Sequence, residues 1–218
     1  MSFRKQLGLI GLALAVSIFL TSILLSKTQS TKLPPYPLIG GHCSGTVIAK
    51  NMILTAAHCM IVPSFNLETL QIEESPMSIG DSISVSLGDS VFSGKAFAIG
   101  STVDSDLALI VGDFTAFDTV AVGDKAASPQ EEVTVSGHPL GVPPIVTAHF
   151  TYTSIMKFGG VTMDLYWGQA CGGFSGSSLQ NSSGEIVGVL TQGAQGCPIT
   201  LGVTLDKVRS FLVENGIL

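Results

Sequence analysis

Short apolar or alternating runs, separated by turn-forming residues, follow one another through most of the chain. Residues 83–87 alternate apolar and polar side chains, which predicts a half-buried strand, and residues 107–111 are all apolar, as in a buried strand. Residues 45–49 and 52–55 flank a tight turn and predict a hairpin. Further strands are predicted at 133–136, 145–153, 161–165, 186–190 and 202–204. Many short strands of this kind predict an all-β barrel or sandwich.

An amphipathic helix is predicted at the end of the chain. After Thr204 an apolar face recurs at helical spacing, and Gly216 can end the helix. That face consists of Leu205, Val208, Phe211 and Leu212. Gly, Asp, Ala, Ser and Pro dominate residues 112–130, which predicts a boundary there between two halves of the β region.

The first 27 residues predict a targeting element. Arg4 and Lys5 precede nineteen uncharged residues, 7–25, and a helix of that length comes close to the roughly 30 Å of a bilayer's hydrocarbon core. The run is longer than usual for a cleaved signal and lacks a small-x-small end. A retained membrane anchor and a cleaved secretory signal both fit, and either one places the rest of the chain outside the cytoplasm. Residues 28–37 are then expected to form a linker.

The remainder, residues 38–218, is acidic and poor in charge. Charged residues make up 12% of the whole chain, about half of the roughly 25% that is usual. The residues after 32 include six basic and sixteen acidic ones, which gives a formal charge of −10. Such a surface repels phosphate backbones, so nucleic acid is not expected as a partner.

Four cysteines all lie in this region, Cys43, Cys59, Cys171 and Cys197. An even number in an oxidising compartment predicts two disulfides, for which three connectivities exist. Zinc is the alternative, because His42-Cys43 and His58-Cys59 form two His-Cys pairs. Adjacent ligands seldom point at one ion and no C-x-x-C spacing is present, so neither a metal nor another cofactor is expected.

Three segments carry candidate chemistry. The first, 54–59, places His58 at the end of a strand, where it is suited to act as a general base. The second opens an apolar strand with Asp106, whose half-buried carboxylate needs a hydrogen-bond donor. The third, 171–178, has glycines on both sides of Ser175, so that backbone N–H groups can face a developing oxyanion. Each signal is weak alone, but together they give the order His, Asp, Ser.

The chain resembles the chymotrypsin/trypsin-like serine endopeptidases in three motifs, Thr55-Ala56-Ala57-His58-Cys59, Asp106-Leu107-Ala108-Leu109-Ile110 and Gly173-Phe174-Ser175-Gly176. The resemblance runs from about residue 41 to the C-terminal helix. It implies two six-stranded antiparallel β-barrels with the active site in the cleft between them. It also implies that Ser175 attacks a peptide carbonyl to form an acyl-enzyme, that His58 transfers the proton, and that Asp106 orients His58. The N–H groups of Gly173 and Ser175 would bind the oxyanion.

The resemblance also assigns disulfides and an edge strand. It pairs Cys43 with Cys59 across the histidine, and Cys171 with Cys197. Residues 188–193, which include Thr191, would form the strand along which a substrate peptide lies. Asp104 is an alternative to Asp106 as the triad acid, but it lacks the apolar strand that follows Asp106.

By the same resemblance, four residues form the pocket for the side chain before the scissile bond. Gln169 and Ala170 would lie at its floor, and Gly193 and Gly202 would form its walls. A pocket with these residues is open and uncharged, so it is expected to favour neutral side chains over Lys or Arg, whose burial without a counter-ion is costly.

Two features depart from the pattern of family members that zymogen cleavage activates. Those members have Asp directly before the nucleophile, where it pairs with a new N-terminal amine, but here Phe174 stands at that position. Leu38-Ile39-Gly40-Gly41 is similar to such an N-terminus, yet Pro37 stands directly before it and no Lys or Arg offers a cleavage site there, so no activation by cleavage is expected. Residues 136–141 resemble the compact bacterial branch of the family, and His138 and His149 are expected to be structural or on the surface.

The sequence therefore predicts an exported serine endopeptidase, anchored in the membrane by its N-terminal helix or secreted, that cleaves peptides or proteins after neutral residues. The alternative is a catalytically inactive homologue that binds peptides or partner proteins through the same cleft. A cysteine- or zinc-dependent hydrolase is less consistent with the triad. These patterns say nothing about the oligomeric state.

Overall fold

The computed structural model describes residues 32–66, 71–193 and 198–218. The chain divides into two units, Met1–Lys32 and Leu33–Leu218, and the elements below belong to the second. The predicted targeting element at 1–27 and the linker residues 28–31 lie outside the described residues. In the described part of the chain, no helix is long and apolar enough to cross a membrane.

The first half of the second unit contains nine strands, β1 (Leu38–Ile39), β2 (Cys43–Ser44), β3 (Thr46–Ala49), β4 (Met52–Thr55), β5 (Ile61–Asn66), β6 (Gln71–Pro76), β7 (Ser82–Leu87), β8 (Ser90–Ile99) and β9 (Ala108–Gly112). Seven of them form one sheet in the order β2-β1-β7-β8-β9-β4-β3, a nearly closed barrel. Strands β5 and β6 pair with each other in a separate two-stranded sheet. A short 3₁₀ turn, Ala57–Met60, follows β4.

The second half is a closed six-stranded barrel in the order β10-β11-β12-β15-β14-β13. Its strands are β10 (Glu132–Gly137), β11 (Val146–Phe158), β12 (Val161–Trp167), β13 (Ser178–Gln180), β14 (Ile186–Gly193) and β15 (Ile199–Thr204). A 3₁₀ turn, Pro139–Gly141, follows β10, and the C-terminal helix spans Leu205–Glu214.

The predicted strands and the C-terminal helix are present in the structure. Strand β7 alternates exposed and buried residues, as its period-two pattern requires. The Thr204 hydroxyl caps the helix by accepting a hydrogen bond from Lys207 N, and the predicted apolar face is buried. Gly216 has a φ of 72°, which suits the turn that ends the helix.

The prediction of an all-β fold with two barrels is confirmed, but the first barrel has seven strands and is not fully closed. The sequence patterns missed β1, β2, β5, β6, β8 and β13. The predicted linker is also too long, because its last residues belong to the folded unit. Pro35 O and Pro37 O accept hydrogen bonds from Val47 N and Gly45 N, and Leu33 bridges Phe117.

The apolar core has three parts. One fills the first barrel around Ile39, Val85 and Phe114, and another fills the second barrel around Phe150 and Tyr166. A third cluster contains residues from both halves and from the C-terminal helix, Leu54, Leu109, Val189, Val203 and Leu212 among them. The shared cluster means that the two barrels and the helix pack against one another and stabilise one another.

Candidate active site

The register of β4 and β9 brings His58 and Asp106 together. These strands are antiparallel, and Thr55, the last residue of β4, pairs with Ala108, the first of β9. The segment that follows Thr55 and the segment that precedes Ala108 therefore meet at one edge of the sheet. His58 lies three residues after Thr55 in the 3₁₀ turn, and Asp106 lies two residues before Ala108.

The carboxylate of Asp106 binds His58 twice. His58 Nδ1 lies 2.9 Å from Asp106 Oδ2, and the backbone N–H of His58 donates to Oδ1 at 3.0 Å. Asp106 is 9% exposed and has a left-handed backbone conformation, with a φ of 43°. A non-glycine residue in that conformation costs free energy, so its environment must hold it there. The alternative acid, Asp104, is exposed and its carbonyl accepts a hydrogen bond from Lys207 Nζ.

A disulfide joins Cys43 and Cys59, with the two Cα atoms 5.9 Å apart. The bond confirms the first predicted pairing and links β2 to the turn that carries His58. The ligand atoms of Cys43, His58 and Cys59 lie within 4.8 Å of one another. The two sulfurs are bonded to each other, however, and so offer no thiolates to a metal ion.

Ser175 lies in the loop between β12 and β13, beside the segment that holds His58. Its backbone carbonyl accepts a hydrogen bond from Ser44 N at 2.8 Å and lies 3.7 Å from Cys59 Sγ. The Ser175 hydroxyl donates to Thr191 O at 3.5 Å. Among the described residues, no hydrogen bond joins Ser175 Oγ to the His58 ring. Such bonds are often long in proteins without substrate and shorten when it binds.

Two backbone N–H groups of the Ser175 loop have no hydrogen-bond acceptor among the described residues. They are those of Gly173 and Ser175. The preceding carbonyl, Gly172 O, accepts a hydrogen bond from Leu140 N at 2.5 Å. Because C=O and N–H point in opposite directions across a trans peptide, this bond turns the Gly173 N–H away from Leu140. Two unpaired donors in the loop of a candidate nucleophile are suited to bind an oxyanion.

A cavity of about 490 Å³ opens beside Ser175. Its apolar walls come from the β11–β12 hairpin and from β14 and β15, through Met156, Phe158, Leu190, Ile199 and Leu201. No charged side chain is among its described lining residues. The cavity can therefore hold a neutral side chain of considerable size.

Some of the predicted substrate-binding residues line this cavity, and others do not. Thr191 and Gly193 line this cavity. Gln169 is exposed and does not line it, and neither does the buried Ala170. Gly202 faces the barrel interior, since a Cβ atom there would lie 2.6 Å from Leu179 Cδ1. Leu201 and Ile199 occupy the cavity wall that had been assigned to Gly202, so that part of the prediction was wrong.

The second predicted disulfide has a different outcome from the first. Cys171 is a free, exposed cysteine in the structure and lines the cavity. Its predicted partner, Cys197, lies outside the described residues. The Cys171–Cys197 pairing therefore stays a prediction.

The segment predicted to mimic an activated N-terminus is part of the fold. Leu38 and Ile39 form β1, which pairs with β2 and β7, and Ile39 is fully buried. Phe174 is 3% exposed and packs in the core of the second barrel. His138 is buried, with its Nε2 2.9 Å from Tyr36 O, and His149 is exposed beside Glu132. Both histidines therefore have the structural or surface positions that were expected.

Sequence patterns missed three contributors to the site. Ser44 contacts the Ser175 loop, but a single serine in a two-residue strand has no pattern that marks it. Met156 and Phe158 reach the cavity because β11 is thirteen residues long and continues past the predicted strand end at residue 153. The three apolar residues among 154–158, Ile155, Met156 and Phe158, could have extended that prediction.

Comparisons with known proteins agree with this geometry. The model of the trypsin-like peptidase domain matches residues 43–189, more than half of the chain. The inactive form of the Rv3671c protease has a TM-score of 0.64 and 18% identity, covering 84% of this chain and 89% of that one. The active form of the Rv3671c protease from M. tuberculosis has a TM-score of 0.63 and 20% identity, covering 80% and 73%. At these identities the structural similarity concerns the fold. No curated protein matches the sequence significantly.

Proposed function

Because the chain belongs to the trypsin-like peptidase family, we propose that it is a serine endopeptidase whose triad is His58, Asp106 and Ser175. The observation that carries the proposal is the double hydrogen bond from His58 to a nearly buried Asp106, next to Cys59, whose Sγ lies 3.7 Å from Ser175 O. In a family of peptidases, a carboxylate bonded in this way to a histidine is suited to orient the general base of a serine triad.

The proposed mechanism follows from the contacts. The ionised Asp106 accepts from Nδ1 of His58, so Nδ1 carries the proton and Nε2 is free to act as the base. His58 takes the Ser175 hydroxyl proton as Oγ attacks the peptide carbonyl, and then delivers it to the leaving amine. Water, with His58 again as the base, releases the acyl group from Ser175. The free N–H groups of Gly173 and Ser175 stabilise the oxyanion in both steps.

The substrate backbone is proposed to pair with the end of β14. Beyond Val189, β14 has no further partner in β13, whereas Gln192 and Gly193 continue to pair with β15 on the other side. The free edge at Gln192 and Gly193 can accept an extended peptide by strand addition. The apolar cavity beside Ser175 would then take the side chain before the scissile bond, which favours Leu, Phe, Tyr or Met.

Export is the remaining part of the proposal. The basic residues Arg4 and Lys5 and the uncharged run at 7–25 support insertion of the N-terminus into a membrane. The Cys43–Cys59 disulfide in the catalytic unit supports an oxidising compartment. The catalytic unit would be tethered outside the cytoplasm, or released if the signal is cleaved.

Labelling with a fluorophosphonate probe tests the proposal, because the probe reacts with an activated serine and not with an ordinary one. Wild-type protein should be labelled and should cleave a peptide library, whereas Ser175→Ala and His58→Ala should do neither. The absence of a hydrogen bond between Ser175 and His58 is the observation that favours the alternative, an inactive peptide-binding homologue. That alternative predicts peptide binding without labelling of the wild type.

A further inference from the structure

The loop that carries the free N–H groups of Gly173 and Ser175 lacks the ion pair that orders it in zymogen-activated relatives. Phe174 occupies the position of the pairing Asp, and its ring is buried in the second barrel. The segment that resembles an activated N-terminus is fixed in a sheet as β1. Another group must therefore hold the backbone of this loop in place.

Ser44 makes three hydrogen bonds that fulfil this role. Its hydroxyl donates to Gly173 O at 2.7 Å and accepts from His138 N at 2.8 Å. Its backbone N–H donates to Ser175 O at 2.8 Å. Ser44 thus contacts both residues that carry the free N–H groups, and it is fully buried. The adjoining Cys43 is bonded to Cys59, so the same strand also holds the turn of His58.

The hydroxyl acts on the orientation of one peptide in particular. Gly173 O belongs to the peptide that links Gly173 to Phe174, and Leu140 N holds the peptide on the other side of Gly173 through Gly172 O. With both flanking carbonyls fixed, rotation about the bonds of Gly173 is restricted. Glycine would otherwise be the most mobile residue of the loop, because it has the widest range of backbone conformations.

We propose that the Ser44 hydroxyl, which holds Gly173 O, is the positioning group for the oxyanion-binding N–H group of Gly173, in place of the ion pair. This inference rests on the proposed function, because it assigns an effect on catalysis. Ser44 touches neither the substrate nor the reacting atoms and acts through the Gly173 peptide.

Thr46 offers a matched control, because its hydroxyl also links the first half of the unit to the second. Its hydroxyl is also fully buried, donates to Ser178 Oγ at 2.9 Å and accepts from Ser178 N at 3.1 Å. Ser44→Ala and Thr46→Val each remove one buried hydroxyl and leave one backbone N–H unpaired. They differ in that Thr46 contacts neither Gly173 nor Ser175.

The experiment measures kcat and KM per active site. The active sites are counted by their reaction with the fluorophosphonate, so that unfolded protein is not included in the enzyme concentration. Ser44→Ala should lower kcat about 10- to 100-fold with KM changed less than about threefold, since the loss falls on transition-state stabilisation. Its affinity for a peptide boronic acid, which mimics the tetrahedral intermediate, should fall by a similar factor. Thr46→Val should keep kcat within about threefold, and Ser44→Thr, which retains the hydroxyl, should do the same.

Equal losses of kcat in Ser44→Ala and Thr46→Val would overturn the inference, and so would an unchanged kcat in Ser44→Ala. If Ser44→Ala does not fold, Ser44→Gly removes the same hydroxyl and takes its place. A wild type that fails to react with the probe would instead contradict the proposed function. In that event the amide NMR signal of Gly173 decides, because it should move in Ser44→Ala and not in Thr46→Val, and an unmoved signal rejects the inference.

Discussion

His58 and Asp106 are joined by two hydrogen bonds, one from the imidazole and one from the backbone. The ring bond, 2.9 Å from Nδ1 to Oδ2, fixes the plane of the imidazole, and the backbone bond, 3.0 Å from N to Oδ1, fixes the carboxylate. A carboxylate held at both oxygens has one orientation relative to the ring. In the proposed mechanism this bond keeps the ring proton at Nδ1 and leaves Nε2 to act as the base.

Asp106→Asn is expected to remove this control of the proton while leaving the shape of the site. An amide can donate to Nδ1 and so stabilise the wrong tautomer of His58, which should lower kcat roughly 10⁴-fold at neutral pH. Asp104→Asn is the matched control, because Asp104 lies two residues away, is exposed and does not contact His58. Steady-state kinetics on both variants checks the assignment, and an inactive Asp104→Asn beside an active Asp106→Asn would reverse it.

The cavity beside Ser175 predicts how specificity can be changed. Ile199→Asp should place a carboxylate in the apolar wall and increase cleavage after Lys or Arg relative to cleavage after Leu or Phe, because the charge supplies a counter-ion. Val146→Asp is the control, since Val146 has the same 39% exposure as Ile199 but does not line the cavity. A peptide-library cleavage profile measures the shift. An Ile199→Asp profile identical to that of Val146→Asp would show that substrate side chains bind elsewhere.

The family resemblance and the all-β fold could be predicted because they depend on local signals. The His58 and Asp106 motifs each adjoin an apolar strand, and those strands pair in the register that brings the two side chains together. The match of the trypsin-like peptidase domain to residues 43–189 confirms the resemblance that the motifs suggested. Strand runs with clear periodicity were also found, whereas the short strands β1, β2 and β13 have too few residues to show one.

The pocket could not be predicted because it depends on register and on distant segments. Successive residues of a strand face opposite sides, so Ile199 and Leu201 line the cavity while Gly202 faces Leu179 in the barrel. An error of one residue in β15 thus exchanges the cavity for the core. Phe158 enters the wall from a hairpin that lies more than thirty residues from β15 in sequence, and no local pattern encodes that contact.

The Cys43–Cys59 disulfide is expected to stabilise the catalytic unit. Its sequence separation is 16 residues, for which the loss of chain entropy in the unfolded state corresponds to about 3 kcal/mol. Replacing both cysteines by Ala should lower the free energy of unfolding by about that amount in a denaturant titration. Cys171→Ser should change the free energy little if the thiol is free as in the structure. A loss of similar size in Cys171→Ser would instead show that Cys171 pairs with Cys197.

Stability should fall as the pH rises through the titration of Asp164. This side chain is 3% exposed on β12 near Tyr166, Tyr152 and Asp206, and burial raises its pKa from 3.8 to about 6. Between those two values the folded state binds more protons than the unfolded state, so the free energy of unfolding decreases by roughly 2–3 kcal/mol and then levels off. Asp164→Asn cannot ionise and should abolish this decline, so that it exceeds the wild type in stability at pH 8.

Asp113 is the comparison for Asp164, because its pKa is shifted in the opposite direction. Hydrogen bonds from Thr115 lower the pKa of its exposed carboxyl, so its contribution to stability is present at neutral pH and disappears as the pH falls below about 4. Asp113→Asn should therefore leave the decline between pH 4 and 6 unchanged. Denaturant titrations at several pH values check both variants, and a decline that persists in Asp164→Asn would show that another group causes it.

Gly172 and Gly173 are adjacent, but we expect only Gly172 to tolerate replacement by Ala. Gly173 has a φ of 95°, and a Cβ atom there would lie 2.2 Å from His138 O and 2.7 Å from Leu140 N. The backbone would have to shift, and the N–H of Gly173 would shift with it. At Gly172 no described atom lies within 4 Å of an added Cβ. Gly173→Ala should therefore lower kcat about 100-fold or more, as does the loss of one oxyanion donor, while Gly172→Ala should stay within about threefold of the wild type. The measurement is kcat per labelled site, with unfolding measured in parallel. Together they separate an effect on the position of the N–H group from a loss of folded protein. Equal activity of the two variants would mean that the Gly173 N–H does not bind the oxyanion.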